Sequence, residues 1–367
     1  ARLQGVHPTH LFPGDGSGVK RVDEPHIEVD NTKHPYSIIY SETSTMTELA
    51  NSGNEVVQGG HYSISSADEM QLLSDFVNGG HDTAGATFYL KDDIILAGKA
   101  ATSDDHGWIP IGRDFSITDI SSLKYMFRGT FDGCGYTVYG LYITNEKGDN
   151  LGLFGRVRGG VIKNLGVVGG MVGELNCGGI VGKIDDGTIE NCWTAVNIQS
   201  ESATGGIAGK IDHTVITNCT AYGAMLCYGG VTANAGGIFG EDMGKSTVTS
   251  CYYLDSAAKV GYDKLASSST ADIISFTYGF ENDDYYCTLE RAAIIDDVTS
   301  TSLLDALNAW VYMRNNGQYC AWLNSPTLIV ADDGANPGHY PRLMNAEVGQ
   351  DSGNDSHNGD YTATSSV

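Results

Sequence analysis

Gly178-Gly179-Ile180-Val181-Gly182 returns as Gly205-Gly206-Ile207-Ala208-Gly209 and again as Gly236-Gly237-Ile238-Phe239-Gly240, with Gly152-Leu153-Phe154-Gly155 as a shorter first copy. The closing glycines Gly155, Gly182, Gly209 and Gly240 lie 27, 27 and 31 residues apart. A second marker keeps step: Asn164-Leu165, Asn191-Cys192, Asn218-Cys219 and Ser250-Cys251 are spaced 27, 27 and 32. Two unrelated markers in one phase identify a structural repeat. The segments between them are short, β-rich and without helical periodicity. The pattern predicts an all-β fold, a parallel β-solenoid of about four coils. Each strand would pair with its counterpart one rung away, about 4.8 Å distant.

Stacking turns each marker into a column. Asn164, Asn191 and Asn218 are expected at a corner, where Asn tolerates the left-handed backbone and its amide can bond its neighbours. Leu165, Cys192, Cys219 and Cys251 are expected to form the adjoining inward column. Rung spacing puts neighbouring thiols within disulfide range, but free thiols acting as small hydrophobes also fit. Gly155, Gly182, Gly209 and Gly240 are expected to mark sharp turns where a Cβ would clash.

An open solenoid end is a bare sheet edge, so both ends need covers. Ser66-Ala67-Asp68-Glu69 is a capping box that opens a helix to about Asn78, with Met70, Leu73 and Val77 on one face and Gly79-Gly80 as the stop. A second helix is expected from Thr301 to about Met313, with Leu303, Leu304, Leu307 and Val311 on one side, ended by Asn315-Asn316-Gly317. The chain therefore divides into an extended N-terminal arm (1–58), an N-terminal cap (59–128), the solenoid (129–254), a C-terminal cap (255–345) and an acidic polar tail (346–367).

Composition narrows the function classes. Of the 48 glycines, 27 fall within residues 129–244, so the glycine belongs to the repeat rather than to diffuse linkers. Lys+Arg is 21 against Asp+Glu 45, a formal net charge of −24, which repels phosphate backbones and anionic lipid surfaces. Neither nucleic-acid binding nor membrane insertion is expected. No apolar run approaches the roughly 20 residues of a membrane-spanning helix. The sequence opens at Ala1 without Met or a basic leader, as expected of an extracellular or cell-surface chain whose signal peptide has been removed.

Trp108-Ile109-Pro110-Ile111-Gly112, Phe127-Arg128-Gly129-Thr130-Phe131-Asp132-Gly133, Tyr136-Thr137-Val138 and Gly140-Leu141-Tyr142-Ile143 precede the glycine copies. Together with those copies they resemble the GLUG-motif repeat family of bacterial secreted and surface proteins. Upstream, Tyr62-Ser63-Ile64-Ser65 and Phe88-Tyr89-Leu90-Lys91-Asp92-Asp93-Ile94 match the usual lead-in. Downstream, Leu304 to Trp310, Trp322 and His339-Tyr340-Pro341-Arg342-Leu343 resemble the trailing segment. The resemblance spans roughly 60–345. It implies a secreted or surface-attached protein, adhesin-like or a non-catalytic part of a secreted peptidase, and supplies no catalytic motif. Cys134 departs from the pattern, which usually has a small polar residue there, and makes a disulfide within the cap conceivable.

Eight cysteines occur with no CxxC pair, which argues against zinc or thioredoxin-type chemistry. Outside the ladder, Cys287–Cys320 is the expected disulfide. His7-x-x-His10 lies on an extended segment around Pro8 and reads as a solvated arm. The acidic pairs Asp104-Asp105, Asp185-Asp186, Asp283-Asp284, Asp296-Asp297 and Asp332-Asp333 lack EF-hand spacing. They suit solvated turns, or at most loosely held Ca²⁺; no other cofactor is expected. Lys163, Lys183 and Lys210 recur near the corners and read as a solvated edge rather than a catalytic cluster. No HExxH, GxSxG or Walker loop is present. Asn218 and Asn354 satisfy the N-glycosylation pattern, with Asn218 inside a coil and Asn354 the accessible candidate.

The termini carry the remaining signal. Pro25 to Asp30, with Ile27 and Val29, and Tyr36 to Tyr40, with Ile38 and Ile39, read as strands, as does Tyr361 to Val367. Terminal strands that add to a neighbour's sheet build extracellular filaments, because main-chain hydrogen bonds then cross every junction. The sequence thus points first to a structural filament subunit polymerising with itself. A surface adhesin or binding module for glycans or a host protein comes second, and the accessory or catalytic part of a secreted polysaccharide-active enzyme third.

Overall fold

In the computed structural model the repeat stacks as its spacing predicts. Residues 20–21, 27–28 and 36–344 are described, apart from 54, 97–106, 113–119, 146–147, 230–233, 256–268, 282–283, 297, 315 and 325–339. Strands Ser44–Thr45, His61–Ile64, Thr87–Leu90, Thr130–Asp132, Val161–Lys163, Thr188–Glu190, Val215–Thr217, Thr247–Leu254 and Thr270–Glu281 pair in parallel, one after another. Their register aligns Tyr62, Phe88, Phe131, Ile162, Ile189, Ile216 and Val248 into one fully buried column.

The six steps along that column are six turns of a parallel β-solenoid, two more than the glycine copies reveal. The extra turns lie in the segment expected as an N-terminal cap. Their steps, from Tyr62 to Phe88 and from Phe88 to Phe131, are unequal in length, and no copy of the glycine marker falls within them.

Two further strand stacks complete each repeat coil. One holds Asp149–Leu151, Leu175–Gly178, Ser202–Gly205 and Ala235–Gly236; the other holds Phe154–Arg158, Val181–Asp185, Ala208–Asp212 and Phe239–Asp242. Three corners turn through single left-handed residues. The columns are Asn164, Asn191, Asn218 and Ser250 (φ 52, 54, 52 and 52°), Gly159, Asp186, His213 and Lys245 (66, 54, 48 and 56°), and Asn150, Asn176 and Ala203 (57, 55 and 53°).

The marker glycines do not make these corners. Gly155, Gly182, Gly209 and Gly240 sit inside strands, outside the left-handed region. A Cβ at Gly182 would run into the backbone of Asn150, at Gly209 into Asn176, at Gly240 into Ala203 and at Gly155 into Gly112. Close approach of two sheets, rather than chain reversal, demands glycine there.

The ends also differ from the expected caps. Residues 36–58 are packed rather than an arm. Tyr36, Met46 and Leu49 are buried in the core, and α1 (Met46–Ser52) opens with a complete capping box between Thr45 and Glu48. Helix α2 (Ala67–Asn78) starts where expected, with Ser66 Oγ accepting from Glu69 N at 3.2 Å. The Glu69 carboxylate turns to Ser65 N at 2.8 Å.

At the other end the parallel stack gives way to an antiparallel meander of Thr270–Glu281, Asp284–Ile295 and Val298–Ser302. Helix α3 (Leu303–Arg314) buries Leu303, Leu304, Ala306, Leu307, Ala309, Trp310 and Val311, more than one face. It leads into a segment, residues 317–324, that returns along the side of the solenoid as a strap. No helix of the described residues is long and apolar enough to cross a membrane.

Candidate functional site

The asparagine corner is where the described residues concentrate buried polar chemistry. Asn164, Asn191 and Asn218 are fully buried. Asn218 Nδ2 donates to Asn191 Oδ1 at 2.8 Å, Asn191 Nδ2 to Asn164 Oδ1 at 2.9 Å, and Asn164 Nδ2 to Asp132 Oδ1 at 3.0 Å. Asp132 therefore heads the ladder, one rung earlier than the sequence marker shows.

The strap binds the same amides from outside. Asn164 Nδ2 donates to Gln318 O at 2.9 Å and its Oδ1 accepts from Cys320 N at 3.0 Å. Asn191 Nδ2 donates to Cys320 O at 2.9 Å, and Trp322 Nε1 donates to Asn191 Oδ1 at 2.7 Å. Asn218 Nδ2 donates to Leu307 O of α3 at 3.2 Å. Fully buried and with its Nδ2 donating to both Asn191 and Leu307, Asn218 is closed to glycosylation in the folded chain. Asn354 lies outside the described residues.

Asp132 is fully buried and densely supplied with donors. Its Oδ1 also accepts from Cys134 N at 2.9 Å, and its Oδ2 from Tyr40 Oη at 2.6 Å and Tyr36 Oη at 3.2 Å. Lys163 Nζ stands 3.4 Å from Oδ2. Burial, followed by the nearby Asp132 charge, pushes the Tyr36 and Tyr40 phenols well above their usual range. Ser37 N donates to Gly317 O at 2.8 Å, so the N-terminal segment and the strap meet at this corner. Nothing periodic announces Asp132, Tyr36 or Trp322; only the resemblance to a trailing segment pointed toward Trp322.

Lys163 is thus a buried, paired group and not part of a solvated edge. Lys183 and Lys210 do lie on an outer face, in register with Arg156 and Glu241. Lys210 pairs with Glu241 at 3.1 Å and Arg156 with Asp185 at 2.7 Å. Asp186 pairs with Arg158 at 3.2 Å, so Asp185-Asp186 is spent on arginines rather than open to a cation. Among the described residues no group of three His, Cys, Asp or Glu side chains converges as a metal site. His7, His10, Asp104-Asp105, Asp283 and Asp332-Asp333 lie outside the described residues.

All eight cysteines are buried free thiols. Cys192, Cys219 and Cys251 stack as predicted, each Sγ donating to the carbonyl two residues earlier at 3.2, 3.3 and 3.3 Å. The expected Cys287–Cys320 disulfide is not formed. Cys287 lies in the antiparallel meander near Tyr222 and Tyr340, whereas Cys320 is held in the strap by Asn164 and Asn191. Cys134, the conceivable cap disulfide, instead places its thiol 3.2 Å from Tyr36 Oη.

The expected assembly strands are only partly described. Ile27 belongs to a two-residue strand, Ile27–Glu28, antiparallel to Lys20–Arg21. Residues 36–40 form no strand: Tyr36 and Tyr40 turn inward to Asp132, Ile38 is half-buried and Ile39 is 94 % exposed. Val29, Tyr361 and Val367 lie outside the described residues.

No protein family and no curated protein matches this chain. A solved structure described as "a putative immunoglobulin A1 protease from Bacteroides ovatus" is similar over 78 % of this chain and 93 % of that one, with 17 % identity and a TM-score of 0.42. A likeness that weak carries no functional argument.

Proposed function

We propose that this chain is a structural subunit of an extracellular filament, assembled head to tail through its terminal segments, and a relative of the GLUG-motif repeat proteins of bacterial surfaces. The observation that carries the reading is where the buried polar groups are used. Asp132, Lys163, Asn164, Asn191 and Asn218 all bind neighbouring rungs or the strap, so they hold the scaffold together. Consecutive parallel rungs also set main-chain hydrogen bonds along the solenoid axis, the direction in which a filament bears load. The extended sequences near each terminus would supply strands to a neighbour.

A surface binding module is favoured by one patch. Leu175 is 36 % and Tyr228 49 % exposed, and Tyr228 Oη donates to Gly173 O at 3.2 Å, which draws the two together. Negative-stain microscopy of the purified chain tests the first reading. Filaments are expected from the intact chain and not after deletion of residues 1–35, which leaves the packed Tyr36, Met46 and Leu49 in place. A monodisperse monomer, or filaments that survive the deletion, rejects it. Glycan-array binding by that monomer, lost in Tyr228→Ala, would support the second.

A further inference from the structure

Asp132 and Lys163 are directly paired on neighbouring rungs, and Glu190 follows Lys163 on the next. The lysine therefore stands between two carboxylates in one column along the solenoid. Asp132 is fully buried and Lys163 only 7 % exposed, with Nζ 3.4 Å from Asp132 Oδ2. The two carboxyl oxygens have different surroundings. Oδ1 receives the Cys134 main-chain N–H at 2.9 Å and the Asn164 amide at 3.0 Å, two fixed donors aimed at one oxygen as in an oxyanion hole. Oδ2, the oxygen beside the lysine, receives the phenols of Tyr40 and Tyr36.

We propose that Lys163 and Asp132 condense into an intramolecular isopeptide bond that welds the last lead-in rung to the first repeat rung. A desolvated ammonium–carboxylate pair can pass a proton across and become amine and acid. The Lys163 nitrogen then attacks Asp132 Cγ and forms the C–N bond, while negative charge gathers on Oδ1 between its two donors. Breaking Cγ–Oδ2 releases that oxygen, which leaves as water with the two protons given up by the lysine ammonium. One ammonium and one carboxylate become one amide and one water, so no oxidant, metal or nucleotide enters the balance.

Glu190, whose carboxylate accepts from Tyr319 Oη at 2.8 Å, stands in register with Lys163 on the next rung as the second acid of the column. The Tyr36 and Tyr40 phenols, held well above their usual range, keep the O–H groups that they present to Oδ2. Tyr40 stacks on Tyr89 at 4.6 Å, and the strap at Gln318 and Cys320 closes the corner against water.

Intact-mass measurement of the reduced full chain tests this. The expected mass is about 18 Da below that of the sequence, one water lost. Digestion should yield a branched peptide joining the segments around 132 and 163. Lys163→Met should show the full mass of its own sequence. A wild-type chain at full sequence mass overturns the proposal, as does a deficit that maps elsewhere or survives Lys163→Met. The wild-type mass and the branched peptide decide even if a variant fails to fold. A disulfide would remove only about 2 Da and be reversed by reductant. The bond is independent of filament formation, so either can fail alone.

Discussion

Two corners of the same coil make the same turn with different chemistry. Asn164, Asn191 and Asn218 have φ between 52 and 54°, and Asp186, His213 and Lys245 between 48 and 56°. Both corners pass a main-chain N–H to the next rung, as from Asn191 N to Thr217 O and from His213 N to Gly244 O. Yet one column holds asparagine at three of its four positions, with Ser250 as the fourth, and the other holds Gly159, an acid, an imidazole and an amine. The difference lies outside the backbone. The asparagine corner is covered by the strap and α3, so each amide N–H group there must find a protein acceptor. Asp186, His213 and Lys245 are exposed, so the side chain that stands there needs no buried partner. Residue constancy along a solenoid therefore reports what covers a corner, not how the chain bends.

The largest effect expected is alkaline loss of stability, from thiols buried throughout the molecule on both sides of this comparison. Burial pushes the thiols of Cys134, Cys177, Cys219, Cys287 and Cys320 above their ordinary range, Cys177 and Cys287 to about 12. The unfolded thiols ionise from about pH 8.5 while the folded ones keep their protons, so the unfolded state binds fewer protons. Stability is fully present below that pH and falls as pH rises toward 12, by about 1.4 kcal/mol per pH unit for each such thiol. Urea midpoints under reductant from pH 8 to 11 check this; a flat profile would mean that these thiols are open to solvent.

Asn191→Ala is next. It removes the side-chain partner of the Trp322 indole and the Cys320 carbonyl, takes one bond from each neighbouring amide, and puts alanine in the left-handed region. A loss of about 4 kcal/mol is expected from denaturant unfolding. Gly209→Ala drives a methyl into the Asn176 backbone and should cost about 3 kcal/mol, read as a lowered Tm. At the exposed corner, His213→Asn should change stability by less than about 0.5 kcal/mol. A cost there comparable with Asn191→Ala would break the comparison.

The sequence is most legible where the molecule repeats. Two markers at one spacing establish the solenoid, the asparagine ladder and the thiol column, because stacking makes neighbours of residues one period apart. The same logic misassigns the glycines. Their spacing is visible, but whether a missing Cβ relieves a turn or a sheet-to-sheet contact depends on the opposite wall of the coil. The two lead-in turns were hidden by irregular step lengths. The strap contacts join residues such as Asn164 and Gln318, which are 154 apart, with no second copy to reveal them. Asp132 heads the ladder from the Lys163 register position, not from the left-handed corner that Cys134 occupies in its rung, so the asparagine marker passes over it.

The strap also sets an order of events during synthesis. Asn164 and Asn191 emerge about 130 to 155 residues before Cys320 and Trp322, and Tyr36 and Ser37 far earlier than Gly317. Until those late residues arrive, the early rungs carry polar groups whose protein partners do not yet exist, and closing so long a loop is slow. A partly made chain therefore has an unfinished seam along this corner, and the native packing closes only after residues 317–324 are laid down.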